Sequence, residues 1–171
     1  MGNSCYGCSP ALHELAHTGD ARVLERYLDR SGVNPDRVDA GEQTALHVAA
    51  FEGHRSVAER LLQRGASVDA LDRTSRSPLH LAAQQGNLVL VELLLDHGAQ
   101  IDRSNVAGWT ALHFACFSGR VTVVELLLNR GAQLPSHDVE MVKDSLDTDE
   151  QETMADGFDE KTNHTPKTPL Q

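Results

Sequence analysis

The sequence predicts an all-α fold of stacked helix pairs, and three observations predict it. A pattern recurs every 33 residues, over residues 44–66, 77–99 and 110–132, with Leu at its third position, His at its fourth and Gly at its tenth. Each unit contains two short apolar segments. A glycine follows each segment, and glycine ends a helix at low cost because it lacks a Cβ atom. Self-similarity at this period indicates a repeat protein in which each unit buries its helices against its neighbours.

The first helix of the unit is predicted from a narrow apolar stripe, which in the middle copy consists of Leu79, Ala82 and Ala83. Small alanine side chains allow neighbouring helices to approach closely, and Gly86 is expected to end this helix. The second helix is apolar on most sides, which suits a helix packed between two others. Gly98 is expected to end it, and a turn-rich segment then leads into the next unit.

The order Thr-x-Leu-His-x-Ala-Ala, Gly, a Val-Val-x-Leu-Leu-Leu-like run and Gly-Ala resembles the ankyrin repeat. The resemblance covers residues 10–134 and implies an ankyrin-repeat solenoid, in which helix-turn-helix pairs are joined by β-hairpin or loop fingers. It places the repeats at about residues 10–43, 44–76, 77–109 and 110–134. Residues 1–9 are then a flexible N-terminal segment, and residues 135–171 are an acidic, mostly disordered tail.

The first repeat is degenerate and aligns with the second after one inserted residue near Ser31. Ser9 and Pro10 favour a helix start, with Ser9 as the N-cap and Pro10 at the first helical position. Several outward positions of this repeat are polar, as expected for a terminal repeat with one face in solvent.

The fingers differ at one position. In the resembled family a glycine with positive φ stands two residues before the Thr, and Gly108 fulfils this pattern. Glu42 and Ser75 occupy the same position in the two preceding fingers. A side chain is costly in that conformation, so we expect these two fingers to be less regular than the third.

A histidine recurs at every repeat as His47, His80 and His113. A metal ladder is one interpretation, but packed helices lie about 8–10 Å apart, whereas a histidine nitrogen lies about 2.0–2.1 Å from a zinc ion. The resemblance implies instead that each histidine bonds to the Thr side chain and backbone of its finger. Cys116 replaces an alanine of the pattern and is predicted to be a small buried residue.

Composition and charge exclude several classes of protein. The formal net charge is −10, of which residues 135–171 hold −7 and residues 1–134 hold −3. This balance disfavours nucleic acid as a partner, because nucleic acid binding requires a basic face. Three cysteines form no disulfide framework, which favours the cytoplasm and is also compatible with the nucleus. No apolar run is long enough to span a membrane, and apart from one Cys-x-x-Cys pair no motif suggests an enzyme, a cofactor or a metal site.

The N-terminal residues predict acylation. Gly2 meets the requirement for N-myristoylation, although Tyr6 stands where the usual pattern has Ser or Thr. One myristoyl chain binds a membrane only marginally, so S-palmitoylation of Cys5 and Cys8 would supply the second signal. The alternative is a disordered terminus with two unmodified thiols.

Cys5 and Cys8 also form a Cys-x-x-Cys pair, which allows a redox or metal interpretation. With His13 and His17 a Cys2His2 site is conceivable, but a structural role explains His13 better because it aligns with His47. We therefore favour acylation over this alternative.

The resemblance implies a protein-binding concave surface built from finger tips and from the exposed side of each first helix. The residues that match the finger positions are Gln43, Arg73, Thr74, Arg76, Val106 and Trp109. The residues that match the exposed helix positions are Phe51, Glu52, Gln84, Gln85, Phe117 and Ser118.

Three of the seven aromatic residues, Phe51, Trp109 and Phe117, fall at these nominally exposed positions. Exposed aromatics are typical of binding hot spots, which favours a binding role. The alternative is that they shield one another or pack beneath the tail. Arg73 and Arg76 give one finger tip a positive charge, which favours an acidic stretch on the partner.

These observations predict a monomeric adaptor or scaffold that binds a protein partner and is tethered to a membrane through lipid. A stoichiometric inhibitor of an enzyme or transcription factor is the alternative. In the tail, Val139, Val142 and Leu146 allow one short helix over the last repeat. Thr165 and Thr168 each precede a proline and match proline-directed phosphorylation sites.

Overall fold

A computed structural model of the chain describes residues 10–133, which form eight α-helices joined by turns and fingers. The helices are α1 (Pro10–Thr18), α2 (Ala21–Ser31), α3 (Ala45–Glu52), α4 (Arg55–Gln63), α5 (Pro78–Gln85), α6 (Leu88–Asp96), α7 (Ala111–Phe117) and α8 (Val121–Asn129). None of these helices is long and apolar enough to cross a membrane.

The helices form two layers that run along the stack. The inner layer is α1, α3, α5 and α7, in which each helix packs on the next, and the outer layer is α2, α4, α6 and α8 in the same order. The core lies between the layers, where leucines of all four repeats are buried: Leu12, Leu46, Leu79 and Leu112 from the inner helices, and Leu28, Leu61, Leu94 and Leu127 from the outer ones. The predicted all-α solenoid of four helix pairs is therefore confirmed.

The recurring histidines have the structural role that the family resemblance implies. The backbone N–H of Thr44 donates to Nδ1 of His47 at 3.1 Å, and the Thr44 hydroxyl lies 2.9 Å from the same nitrogen. Nδ1 is therefore the acceptor, so the proton resides on Nε2. Burial lowers the pKa of His47 and of His80 below the ordinary value of 6.5, which keeps both rings neutral at pH 7.

The same histidines also connect successive repeats, which the sequence did not predict. Nε2 of the histidine at this position in the first three repeats, His13, His47 and His80, donates to the carbonyl oxygen of the residue just before the Thr or Ser of the next repeat. These bonds are His13–Gln43 at 2.8 Å, His47–Arg76 at 3.0 Å and His80–Trp109 at 3.1 Å. Each finger is thus held by the repeat that precedes it.

A second ladder connects the repeats through the turns that follow the outer helices. An aspartate carboxylate of each repeat accepts the backbone N–H of a residue in the next repeat. The pairs are Asp36–Ser67 at 2.7 Å, Asp69–Gln100 at 3.1 Å and Asp102–Gln133 at 2.8 Å. The sequence analysis missed this ladder, although the three aspartates recur at the repeat period and carry the signal.

Candidate protein-binding surface

The three fingers are held by the same hydrogen-bonded turn. An Asp or Asn oxygen accepts the backbone N–H groups two and four residues later, at 2.8–2.9 Å. The acceptors are Asp39, Asp72 and Asn105. A short polar side chain at the start of a turn satisfies backbone donors that have no other partner.

The residue two positions before the Thr or Ser has positive φ in all three fingers, as predicted. The φ angles are 60° at Glu42, 58° at Ser75 and 82° at Gly108. The expectation that the first two fingers are less regular is wrong, because their side chain–backbone hydrogen bonds match those of the third. The turn and its neighbours enforce the conformation even where a Cβ atom opposes it.

Adjacent fingers are joined to one another by backbone hydrogen bonds. The N–H of Arg73 donates to the carbonyl of Gly41 at 3.2 Å, and the N–H of Val106 donates to the carbonyl of Thr74 at 3.3 Å. The finger tips therefore form a continuous edge along the stack, which orients their side chains before any partner binds.

Arg76 contributes less positive charge to its finger than the sequence analysis expected. Its Nε and Nη2 lie 2.9 and 2.8 Å from Oδ2 of Asp72, whose side chain is 2% exposed. Burial raises the pKa of the Asp72 carboxyl, but hydrogen bonds from Arg76 and Thr74 outweigh burial and lower this pKa to about 2. The ionised Asp72 therefore compensates the charge of Arg76.

Arg73 retains its charge at this tip. Its Nη2 donates to the carbonyl oxygen of Ala40 in the preceding finger at 2.7 Å. A carbonyl acceptor carries no net charge, so the guanidinium remains a full cation. The expected positive tip is thereby reduced from two arginines to one.

The structure brings together four of the predicted residues from the first part of the concave surface. Gln43, Phe51, Glu52 and Arg76 line a shallow groove of about 260 Å³ between the fingers and helices α3 and α5. The sequence analysis missed two apolar residues of this groove, Val48 and Leu81. Both follow the repeat histidine, so the period carried a signal for them.

A second group of predicted residues meets at the last repeat. The ring of Trp109 lies 5.4 Å from that of Phe117, 5.4 Å from that of Phe114 and 6.3 Å from that of His113, where it stacks. Phe117 is nevertheless 71% exposed, and Val106 at the finger tip is 74% exposed. The rings shield one another only in part, and an apolar patch of Val106, Trp109 and Phe117 remains on the surface.

The remaining predicted residues are distributed around these two groups. Phe51 is 46% exposed on α3 and is separated from the aromatic rings on α7 by the intervening helix α5. Gln84 and Gln85 lie half-buried on α5, Ser118 is half-buried after α7, and Thr74 is exposed at its finger tip. Cys116 is buried as predicted.

Several predicted sites lie outside the described residues. These are the acylation sites Gly2, Cys5 and Cys8, the apolar tail positions Val139, Val142 and Leu146, and the phosphorylation sites Thr165 and Thr168. They stay predictions.

Comparison with known proteins identifies the repeat. A family model described as "Ankyrin repeats (3 copies)" matches residues 65–138, and a model described as "Ankyrin repeat" matches residues 41–73. The chain belongs to the ankyrin-repeat family. Ankyrin repeats are generally protein–protein interaction modules, which agrees with the exposed apolar side chains at the ankyrin fingers.

Similar curated proteins share ankyrin repeats over short segments. The chain is 36% identical over 58 residues to the Ankyrin repeat, PH and SEC7 domain containing protein secG of Dictyostelium discoideum, which is 34% of this chain and 6% of that protein. It is 42% identical over 57 residues to Serine/threonine-protein kinase 12 of Arabidopsis thaliana, covering 33% of this chain and 12% of the kinase. It is 48% identical over 50 residues to Potassium channel GORK of the same plant, covering 29% of this chain and 6% of the channel. The chain spans only a small part of each of these relatives.

Proposed function

We propose that this ankyrin-repeat chain is a non-catalytic adaptor that binds a protein partner on its concave surface. The observation that carries the proposal is the apolar patch of Val106, Trp109 and Phe117, in which two side chains are more than 70% exposed. Exposed apolar groups at one edge of a soluble surface mark interaction sites, and aromatic residues dominate binding energy there.

The patch has the geometry of a binding anchor. Trp109 is half-buried and held by its neighbours, so its ring is ordered before binding. Phe117 lies against that ring and would lose most of its solvent contact beneath a partner, which contributes about 2 kcal/mol. Rigid finger edges lower the entropy cost of association, which supports a preformed site.

The proposal is tested by comparing partners captured from cells by the wild-type chain and by a Phe51→Ser, Phe117→Ser variant. Both phenylalanines are exposed, so their replacement should leave folding intact. Val89→Ser is the matched control, because Val89 is 46% exposed but lies on the outer helix α6. Captured proteins are then purified and their direct binding is measured.

We expect specific partners to bind wild type and the Val89→Ser control and to be lost from the double variant. Phe117→Ser alone should weaken direct binding by roughly 30-fold, which corresponds to about 2 kcal/mol. An identical set of partners for all three chains would refute the concave surface as the binding site.

We also propose that acylation at Gly2, Cys5 and Cys8 tethers this adaptor to a cytoplasmic membrane surface. The support is the residue types and their spacing. Labelling with alkyne analogues of myristate and palmitate tests it, with Gly2→Ala and Cys5→Ser, Cys8→Ser as variants. Retention of the myristate label in Gly2→Ala and of the palmitate label in Cys5→Ser, Cys8→Ser would exclude these sites.

A further inference from the structure

The outer face of α2 carries a second surface, which is separate from the concave one. α2 packs on α1 and α4 and is the first outer helix of the stack. Its outward side presents Val23, Arg26, Tyr27, Arg30 and Ser31 around a shallow depression of about 480 Å³. We call these five residues the α2 end face. Val23 is 42% exposed, and both arginines are exposed.

The charges of α2 are segregated between two faces. Glu25 and Asp29 face α4, where two arginines pair with them at 2.6–3.7 Å. Arg26 and Arg30 lie on the other face, and within residues 10–133 neither has an ion pair or a side-chain hydrogen bond. The charges at the α2–α4 contact compensate one another, so the α2 end face has a net positive charge.

Besides Glu25 and Asp29, the acidic group closest to this helix in sequence is its N-cap, Asp20, and it does not cancel that charge. Asp20 caps α2, and its Oδ1 accepts the N–H groups of Arg22 and Val23 at 3.1 Å. Asp20 lies six and ten residues before Arg26 and Arg30, which is about 9 and 15 Å along a helix. Charges farther apart than about 8 Å are largely screened at physiological salt, so Asp20 acts mainly on Arg22.

We propose that the α2 end face binds an anionic membrane surface. Arginines that flank an exposed Val23 and the amphipathic ring of Tyr27 form the combination of basic and apolar side chains that favours the lipid interface. An acidic protein segment would use the arginines but would leave Val23 without a role. Because the face lies at the end of the stack, a planar surface can reach it while the concave surface stays open.

The acidic balance of the whole chain does not oppose this binding. Most of the net charge of −10 belongs to residues 135–171. Repeats stack about 10 Å apart, so acidic groups of the later repeats lie beyond the screening distance from α2. The attraction is therefore set by the local arginines. Membrane binding by the α2 end face does not depend on acylation or on the proposed concave site.

Sedimentation with lipid vesicles tests the proposal on the full, unacylated chain. Vesicles of phosphatidylcholine with about 30% phosphatidylserine are compared with pure phosphatidylcholine, at about 100 mM and at about 400 mM salt, where the screening length is about 10 Å or less. The test variant is Arg26→Gln, Arg30→Gln. The control is Arg55→Gln, Arg103→Gln, which changes the net charge equally at arginines that also have no ion pair within the described residues. Circular dichroism verifies that all chains are folded.

We expect binding to phosphatidylserine vesicles that weakens with salt and is roughly 30-fold weaker in the test variant, while the control variant binds like wild type. Val23→Ser should weaken binding a few-fold, because less apolar surface is buried. Absence of binding at about 100 mM salt, or equal loss in both double variants, overturns the proposal. If vesicles bind only after the tail residues Asp147, Asp149, Glu150 and Glu152 are changed to amides, the acidic tail is the ligand of the α2 end face. That result also overturns the proposal.

Discussion

Replacing Glu42 and Ser75 by glycine should stabilise the stack, although both substitutions remove a side chain. Both residues have φ near 60°, where an L-residue with a Cβ atom costs about 1–2 kcal/mol. Neither side chain makes a hydrogen bond within the described residues, so its removal forfeits no such contact. Glycine also increases the entropy of the unfolded chain, which costs about 0.4–1 kcal/mol. The net expectation is a gain of about 0.5–1 kcal/mol for each substitution.

Urea unfolding followed by circular dichroism measures this gain. Glu42→Gly and Ser75→Gly should each raise the midpoint without changing the slope, and the double variant should show nearly the sum. Gly108→Ser is the matched control in the third finger and should lower the free energy of unfolding by a similar amount. If both glycine variants are neutral or destabilised and Gly108→Ser is tolerated, positive φ is not a source of strain in these fingers.

Two further predictions concern ionisable groups. Burial lowers the pKa of His47 and His80, so below pH 6.5 the unfolded chain binds more protons than the folded chain. The free energy of unfolding should therefore be constant above about pH 7. Below pH 6.5 it should fall by up to about 1.4 kcal/mol per pH unit for each histidine. Urea unfolding between pH 7.5 and 5 measures this slope, and a flat profile would contradict it. Asp72→Asn should preserve the turn but lose the charged pair with Arg76, costing about 1–2 kcal/mol. Thermal unfolding compares it with Asp39→Asn, which keeps the equivalent turn in the first finger. An equal loss in both variants would mean that the charged pair of Asp72 with Arg76 adds nothing to stability.

The sequence predicted the fold because its constraints recur at fixed positions. A histidine, two alanines and a glycine in register identify the helix pair, since each copy has the same neighbours. The register aligned Glu42 and Ser75 with the glycine of the resembled family's pattern, and this resemblance implied positive φ where the residue type alone argues against it. Periodicity therefore carries more information than the propensity of any single residue.

The candidate site was predicted less completely because it depends on geometry within each finger. The pairing of Arg76 with Asp72 follows from a turn that brings residues four apart into contact, which the alignment of repeats does not show. Val48 and Leu81 line the groove because of the direction in which α3 and α5 present them. The ring of Phe114 contributes to the site because it packs on the ring of Trp109, a contact that the order of residues does not show.

The hydrogen bonds from His13, His47 and His80 hold the stack together through main-chain acceptors, so they do not depend on the side chains that form its surface. Each bond ends on a main-chain oxygen, whereas Gln43 and Arg76 line the groove and the ring of Trp109 lies against that of Phe117. Gln43, Arg76 and Trp109 are therefore free to differ from one another, because any amino acid supplies the acceptor. New recognition can arise by mutation at Gln43 and Trp109 without loss of these bonds between repeats, whereas a change at Arg76 also removes the partner of the buried Asp72 carboxylate.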